Sequence, residues 1–135
     1  MRPISEVTFP DTLVMYVAGD PTKPVPEQSQ QAFAALEAKF ASLKGRKFFG
    51  VLVGNQYRAC SSIIDTDESS ELPHPTWTIP GGKYARTRIP DWEKHTDQIG
   101  AAFDELFSLP SVDPTRPAME YYRSQHDLFV MVPIK

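Results

Sequence analysis

Two stretches of this chain run in the same order: a strand, a helix with one apolar stripe, then two short strands around a tight turn. That repetition limits the fold more than any other feature. In the first stretch, Phe33, Leu36, Phe40 and Leu43 recur at spacings of three and four between about Glu27 and Lys44. Such spacing marks a helix that buries one side, and Gly45 supplies a stop. The run KFFGVLVGNQYRACSSII follows, in which Gly54-Asn55 separates two strand-like segments; glycine tolerates the positive φ that a two-residue hairpin turn needs. In the second stretch, Ile99, Ala102, Phe103 and Leu106 stripe a helix from about Trp92 to Ser108. Ala118–Arg123 and Asp127–Ile134 then form another hairpin-like pair around Ser124-Gln125. The leading strands are Val7 to Gly19 in one stretch and the run around Trp77 and Tyr84 in the other.

This order predicts an α+β fold made of a duplicated strand–helix–hairpin module, with pseudo-repeats at about 7–64 and 76–134. The strands should build one antiparallel sheet or two abutting ones, with both helices on one face and an open ligand groove on the other. Proline placement agrees, because proline inside a helix loses a hydrogen bond and clashes. Pro21, Pro24 and Pro26 precede the first helix, Pro73 and Pro75 divide the halves, and Pro110, Pro114 and Pro117 follow the second helix. The 135 residues fit a single domain able to bury roughly two-thirds of its unfolded surface.

Charge and cysteine usage narrow the function. A formal net charge of −3 offers no basic patch, so nucleic acid is not an expected partner. The lone Cys60 makes no intrachain disulfide and no cysteine zinc site. No apolar run is long enough to span a bilayer, and the first residues lack a signal-peptide hydrophobic region. The expectation is a cytoplasmic monomer or homodimer, with neither cofactor nor metal. His74, His95 and His126 share no ligand spacing, Gly81-Gly82 lacks the lysine and serine of a phosphate loop, and no orienting group accompanies Cys60 and His126. The acidic run Asp65 to Glu71 reads as a solvated loop.

The chemistry concentrates in the last hairpin. With its loop centred on Ser124-Gln125, Glu120 falls opposite Phe129 and Tyr122 opposite Asp127. Alternation then puts Glu120, Tyr122, Asp127, Phe129 and Met131 on one face, with Met119, Tyr121, Leu128, Val130 and Val132 on the other. The second set is an ordinary core. The first mixes two carboxylates with aromatic and thioether groups, as a ligand site does. Corresponding positions of the first hairpin are Gly50, Leu52, Tyr57, Ala59 and Ser61, where small residues leave room and Tyr57 adds an aromatic wall. Trp77 is a rim candidate. Arg86 and Arg88 either exit to solvent or offset the carboxylates. The Gly81-Gly82 pair marks a bend, a bulge or a close approach by another segment.

The pattern PAMEYY, a polar turn, then an acidic residue before LFVMVPI resembles the C-terminal hairpin of GyrI-like small-molecule-binding domains. PGGKYA at Pro80–Ala85 and the helix ending FDELFSL resemble the same family. The resemblance implies a stand-alone small-molecule binder without the fused DNA-binding module many members carry. It also implies that Glu120 meets the ligand; at Asp127 the family more often has glutamate. Its ligands would be aromatic or amphipathic, contacting Glu120, Tyr122, Asp127, Phe129, Tyr57 and Trp77. Some stand-alone members hydrolyse strained, cyclopropanoid-type electrophiles. That alternative would make Glu120 the general base, Asp127 its positioning or charge-stabilising partner, and Tyr57 or Tyr122 a donor to the leaving oxygen. Protein binding, as in gyrase-inhibiting relatives, finds no exposed motif here, and haem binding lacks a histidine on the expected face.

Overall fold

The computed structural model describes residues 3–38, 46–63, 75–124 and 126–135, and it has the expected α+β fold. In chain order its elements are β1 (Ser5–Phe9), β2 (Thr12–Ala18), α1 (Val25–Glu37), β3 (Phe48–Val53), β4 (Gln56–Ser62), β5 (Thr76–Ile79), β6 (Gly82–Pro90), one 3-10 turn (Trp92–Lys94), α2 (Asp97–Phe107), β7 (Met119–Tyr122) and β8 (Asp127–Pro133). The chain divides into two compact units, Thr12–Ile79 and Met1–Asp11 with Pro80–Lys135.

In the unit Thr12–Ile79, antiparallel pairing runs β3 to β4, β4 to β2 and β2 to β5. The two-residue turn forms as expected, with Gly54 at φ 63°. α1 lays Ala32 and Leu36 on Met15, Tyr57 and Ala59, with Phe33 packed alongside. Phe40, Leu43 and Gly45 lie outside the described residues, as do the acidic run and His74. The opposite face of this sheet is also buried, through Val14, Phe49, Val51 and Cys60.

Gln28 is the polar residue that holds this unit's corner. It is fully buried, and its side-chain oxygen accepts the Tyr57 N–H at 2.9 Å. Its amide nitrogen donates to the carbonyls of Lys23 and Asn55 at 3.0 and 3.1 Å. One side chain thus joins the helix start, the preceding loop and the β3–β4 turn. Gly19 accommodates it, since a Cβ there would stand 2.7 Å from the Gln28 side chain.

In the other unit, β6 pairs with β1 on one side and β8 on the other, and β8 pairs with β7. α2 lays Ala102 and Leu106 on Ala85, Ile89, Val130 and Val132, with Ile99 and Phe103 half-buried at the margin. The second helix is shorter than its sequence pattern. Trp92–Lys94 forms a 3-10 turn, entered from Asp91 at φ 49°, and α2 starts at Asp97. The leading strand expected at Val7 to Gly19 is two strands, because the chain passes Pro80-Gly81 at Pro10-Asp11. A Cβ on Gly81 would lie 2.5 Å from both the Phe9 carbonyl oxygen and the Asp11 nitrogen. The Gly81 N–H donates to Asp11 Oδ1 at 2.6 Å. Close approach of two backbones is therefore what this glycine serves.

The last hairpin differs from the expected register by one residue. Glu120 pairs with Val130 and Tyr122 with Leu128. The backbone N–H groups of Arg123 and Ser124 both donate to the Asp127 carbonyl, so the loop is one residue longer than a tight turn would make it. A one-residue change moves every side chain of a strand to the other face. Glu120 and Tyr122 consequently lie on the α2 side, while Tyr121, Phe129, Asp127 and Met131 lie on the face turned away from it.

Two measurements follow from this packing. Gln28→Met strands the buried Tyr57 N–H, which costs about 1–3 kcal/mol. Urea denaturation should show a lowered midpoint with an unchanged slope. Burial pushes the Cys60 thiol up to about 12, against a smaller opposing pull from Arg58. The unfolded thiol titrates near about 8.5, so stability is intact below that pH and declines by about 1.4 kcal/mol per pH unit above it, until the folded thiol itself ionises. Cys60→Ala should make the loss of stability between pH 9 and 10.5 shallower than in the parent protein.

Candidate functional site

The residues that carry chemistry on the α2 side come from the strand β7 and the chain segment just before the helix. Glu120 is half-buried, and the Tyr122 hydroxyl donates to its Oε1 at 3.1 Å. The Tyr122 ring meets Trp92 edge-on, with centroids 5.0 Å apart and planes at 68°. Trp92 itself packs on the α2 core, and its indole N–H is enclosed without a hydrogen-bond partner. A carboxylate in such surroundings loses hydration on its apolar side, and that loss must be offset by hydrogen bonds or a cation. Aromatic faces next to a carboxylate are also where an organic cation gains cation–π attraction of about 0.5–2 kcal/mol per ring. The cluster can therefore hold a positively charged or donor-bearing group, with Glu120 as acceptor and the rings as walls.

Asp127 does not join this cluster. It lies on the opposite face of the hairpin and is taken by Arg88, whose guanidinium pairs with Oδ1 while its Nε donates to the same oxygen at 2.7 Å. The two carboxylates expected to share a face are separated by the register change, so Asp127 is not placed to steady a water for Glu120. Phe129 is likewise on the other face, only 7% exposed, stacked on Tyr121 with centroids 6.3 Å apart. The Arg86 guanidinium covers its ring at 4.4 Å.

Tyr57 and Trp77 belong to the unit Thr12–Ile79. Tyr57 is a core residue beneath α1, 3% exposed and edge-on to Phe33. It shares one face with Gly50, Leu52, Ala59 and Ser61 as expected, but that face is the one α1 covers. Trp77 is half-buried on the edge strand β5 and closes a sandwich: the Arg58 guanidinium lies 4.6 Å from the Tyr16 ring and 4.7 Å from the Trp77 ring. In the equivalent strand pair of the other unit, cation and aromatic ring exchange places, with Arg86 on β6 and Phe129 on β8.

The thiol and imidazole are not a nucleophile pair. Cys60 is fully buried and held protonated, whereas His126 sits in an exposed turn with its Nδ1 3.3 Å from Glu93 and 3.7 Å from Asp91. Among the described residues, no group of three or more histidine, cysteine or acidic side chains is arranged to hold a metal ion. No helix among them is long and apolar enough to cross a membrane.

Sequence reasoning missed Trp92, Gln28 and Arg116. Trp92 precedes Ile99 by two helical turns and extends the same stripe, a signal that could have found it. Arg116 is a tie. It donates to the carbonyls of Gly81, Lys83 and Ile134 at 3.1, 3.1 and 2.7 Å, and to Asp113 at 3.2 Å. Its guanidinium also covers Tyr84 at 5.0 Å. Asp113 is held below the usual carboxylate range, first by the Thr115 hydroxyl and then by the Thr115 N–H.

No family model and no curated protein matches this chain. Solved structures share its fold. An integron cassette protein, VCH_CASS2, from the mobile metagenome of Vibrio cholerae is 13% identical, with 98% of this chain and 95% of that one covered at a TM-score of 0.74. SAV2435, solved bound to tetraphenylphosphonium, is 11% identical over 100% of this chain and 94% of that one, at a TM-score of 0.57. A hydrolase encoded by lin2189 from Listeria innocua is 11% identical over 99% and 92%, at a TM-score of 0.52. At such identities the likeness establishes the fold.

Proposed function

We propose that this chain is a GyrI-like binder of small aromatic or amphipathic molecules, which it holds through Glu120 on the α2 side of the β7–β8 hairpin. The observation that carries the reading is the half-buried carboxylate of Glu120 accepting from Tyr122, whose ring leans on Trp92. Its ligands would carry an ammonium or another donor group for Glu120 and a flat apolar body for the rings. The fold shared with SAV2435, a protein solved with a lipophilic aromatic cation, agrees with that ligand chemistry. Phe129, Asp127, Tyr57 and Trp77 have other partners and are not needed for it.

Hydrolysis of strained electrophiles is the second reading, and the fold shared with the Listeria innocua hydrolase keeps it in view. Without Asp127 it reduces to Glu120 taking a proton from water, with the Tyr122 hydroxyl 3.1 Å away as the donor to the leaving oxygen. General-base assistance of this kind is worth about 10²–10⁴-fold. The binding reading asks less of the residues present.

The two readings part on Glu120→Gln. For binding, 2-naphthylmethylammonium and tetraphenylphosphonium serve as probes in calorimetry. The substitution should weaken the ammonium by about 1.5–3 kcal/mol, one charge-assisted hydrogen bond, while the fold is retained. Equal affinity in both proteins would reject Glu120 as the anchor. For catalysis, epoxide or cyclopropanoid electrophiles are incubated with the protein and products followed by mass spectrometry. Turnover that disappears in Glu120→Gln while binding persists would establish the hydrolase; stoichiometric capture without turnover would end that reading.

A further inference from the structure

We propose that the 3-10 turn Trp92–Lys94, entered from Asp91, is a lid on the Glu120 cluster, and that His126 latches it shut when its imidazole is protonated. The lid's effect on ligands rests on the Glu120 reading; the latch itself stands on the turn's own geometry.

The turn holds Trp92 where local forces disfavour it. Among the described residues, Asp91 is the one non-glycine residue at positive φ, with φ 49° and ψ 47°. That conformation crowds Cβ against the following carbonyl oxygen. The Trp92 indole N–H is enclosed without an acceptor, and an unpaired buried donor is costly. Swinging Trp92 outward would give the N–H water and let Asp91 leave the left-handed region. Two sets of contacts oppose that motion. One is the seat of Trp92 on Tyr122 and on the α2 core. The other is the grip of the β7–β8 loop. The Asp91 N–H donates to the His126 carbonyl at 2.7 Å. His126 Nδ1 stands 3.3 Å from Glu93 Oε1 and 3.7 Å from Asp91 Oδ1. These carboxylates flank Trp92 in the chain, so one imidazole holds the lid on both sides of its ring.

Histidine is the side chain that changes charge between pH 5 and 8. Protonated, His126 is a cation facing two carboxylates; neutral, it offers them no charge. The other charged groups around it are Lys94 on the turn, Arg123 at the start of the loop and the Arg88–Asp127 pair, whose members hold each other. His95 closes the turn by donating its N–H to the Trp92 carbonyl at 2.9 Å, and its Nδ1 lies 3.4 Å from the Gln98 amide nitrogen. Acid therefore fastens Trp92 over Tyr122, and a rise in pH releases it. His126, Asp91 and Glu93 are all exposed, so each pair shifts the equilibrium by about fivefold at most.

Tryptophan emission of Trp77→Phe, in which Trp92 is the remaining indole, reads the lid between pH 5.5 and 8. Emission should move to longer wavelength as pH rises and the indole reaches water. The shift should be lost in His126→Gln and in the double variant Asp91→Asn/Glu93→Gln, and kept in His95→Gln. Asparagine tolerates the left-handed conformation, so the double variant removes charge without forcing the turn. In calorimetry, 2-naphthylmethylammonium should bind the parent about two- to fivefold more weakly at pH 5.5 than at pH 7.5, with the difference reduced in His126→Gln. The proposal is overturned if emission of Trp77→Phe does not respond to pH, if the shift survives in His126→Gln, if His95→Gln removes it, or if the ammonium binds equally at both pH values. An ammonium that binds at neither pH rejects the Glu120 reading, and the emission shift still decides the latch.

Discussion

The Ser124 hydroxyl accepts the backbone N–H groups of both His126 and Asp127 at 3.1 Å, and the Asp127 carbonyl takes those of Arg123 and Ser124 at 3.0 and 3.3 Å. Serine in a turn offers the backbone an alternative to the ladder, and this one sets the phase of everything that follows. Strand side chains alternate with a period of two, so loop length decides which face each residue reaches. With this loop, Val130 and Val132 meet α2 and Glu120 is carried to the same side. A two-residue connection would instead have set Phe129 and Asp127 beside Glu120. The chemistry of the hairpin therefore depends on a few hydrogen bonds in its loop.

The register also separates opposite charges. Glu120 occupies the α2 side, and Arg86 with the Arg88–Asp127 pair occupies the other. Arg88 is largely in solvent, so its ion pair adds little stability. Its effect is to hold Asp127 on that face, away from Glu120. Four residues thus give two chemically distinct faces to one sheet only a backbone thick.

Much of the fold was legible in the sequence. The apolar stripes of Phe33 and Leu36, and of Ile99, Phe103 and Leu106, declared two helices on sheets, and Gly54-Asn55 declared its turn. These signals are local and repeat with a fixed period. What was not legible depended on partners distant in sequence. Pro10-Asp11 reads as an unbroken strand until Gly81 is known to press against it. Gln28 reads as a surface residue of α1 until Lys23, Asn55 and Tyr57 converge on it. For the site, the residue types were visible but their faces were not. PAMEYYRSQHDLFVMVPIK permits two registers that bury comparable apolar sets, and the bonding capacity of Ser124 is a weaker signal than the pattern of hydrophobic residues.

The pairing of β1 with β6 has a consequence for synthesis. Residues Thr12–Ile79 form a continuous segment that contains the β3–β4, β4–β2 and β2–β5 pairings. The strand β1 precedes that segment, yet its ladder partner is β6, with Ser5 opposite Arg86 and Phe9 opposite Gly82. As the chain leaves the ribosome, the central segment can close while β1 still has an unmatched edge. Contacts between residues so far apart in sequence form slowly, and an unpaired edge is open to other chains in the meantime. The arrival of β6 matches that edge as Gly81 passes the Phe9 carbonyl, and Arg116 later fastens Gly81, Lys83 and Ile134. The first strand of the chain thus waits for Gly82–Pro90 before its edge is matched.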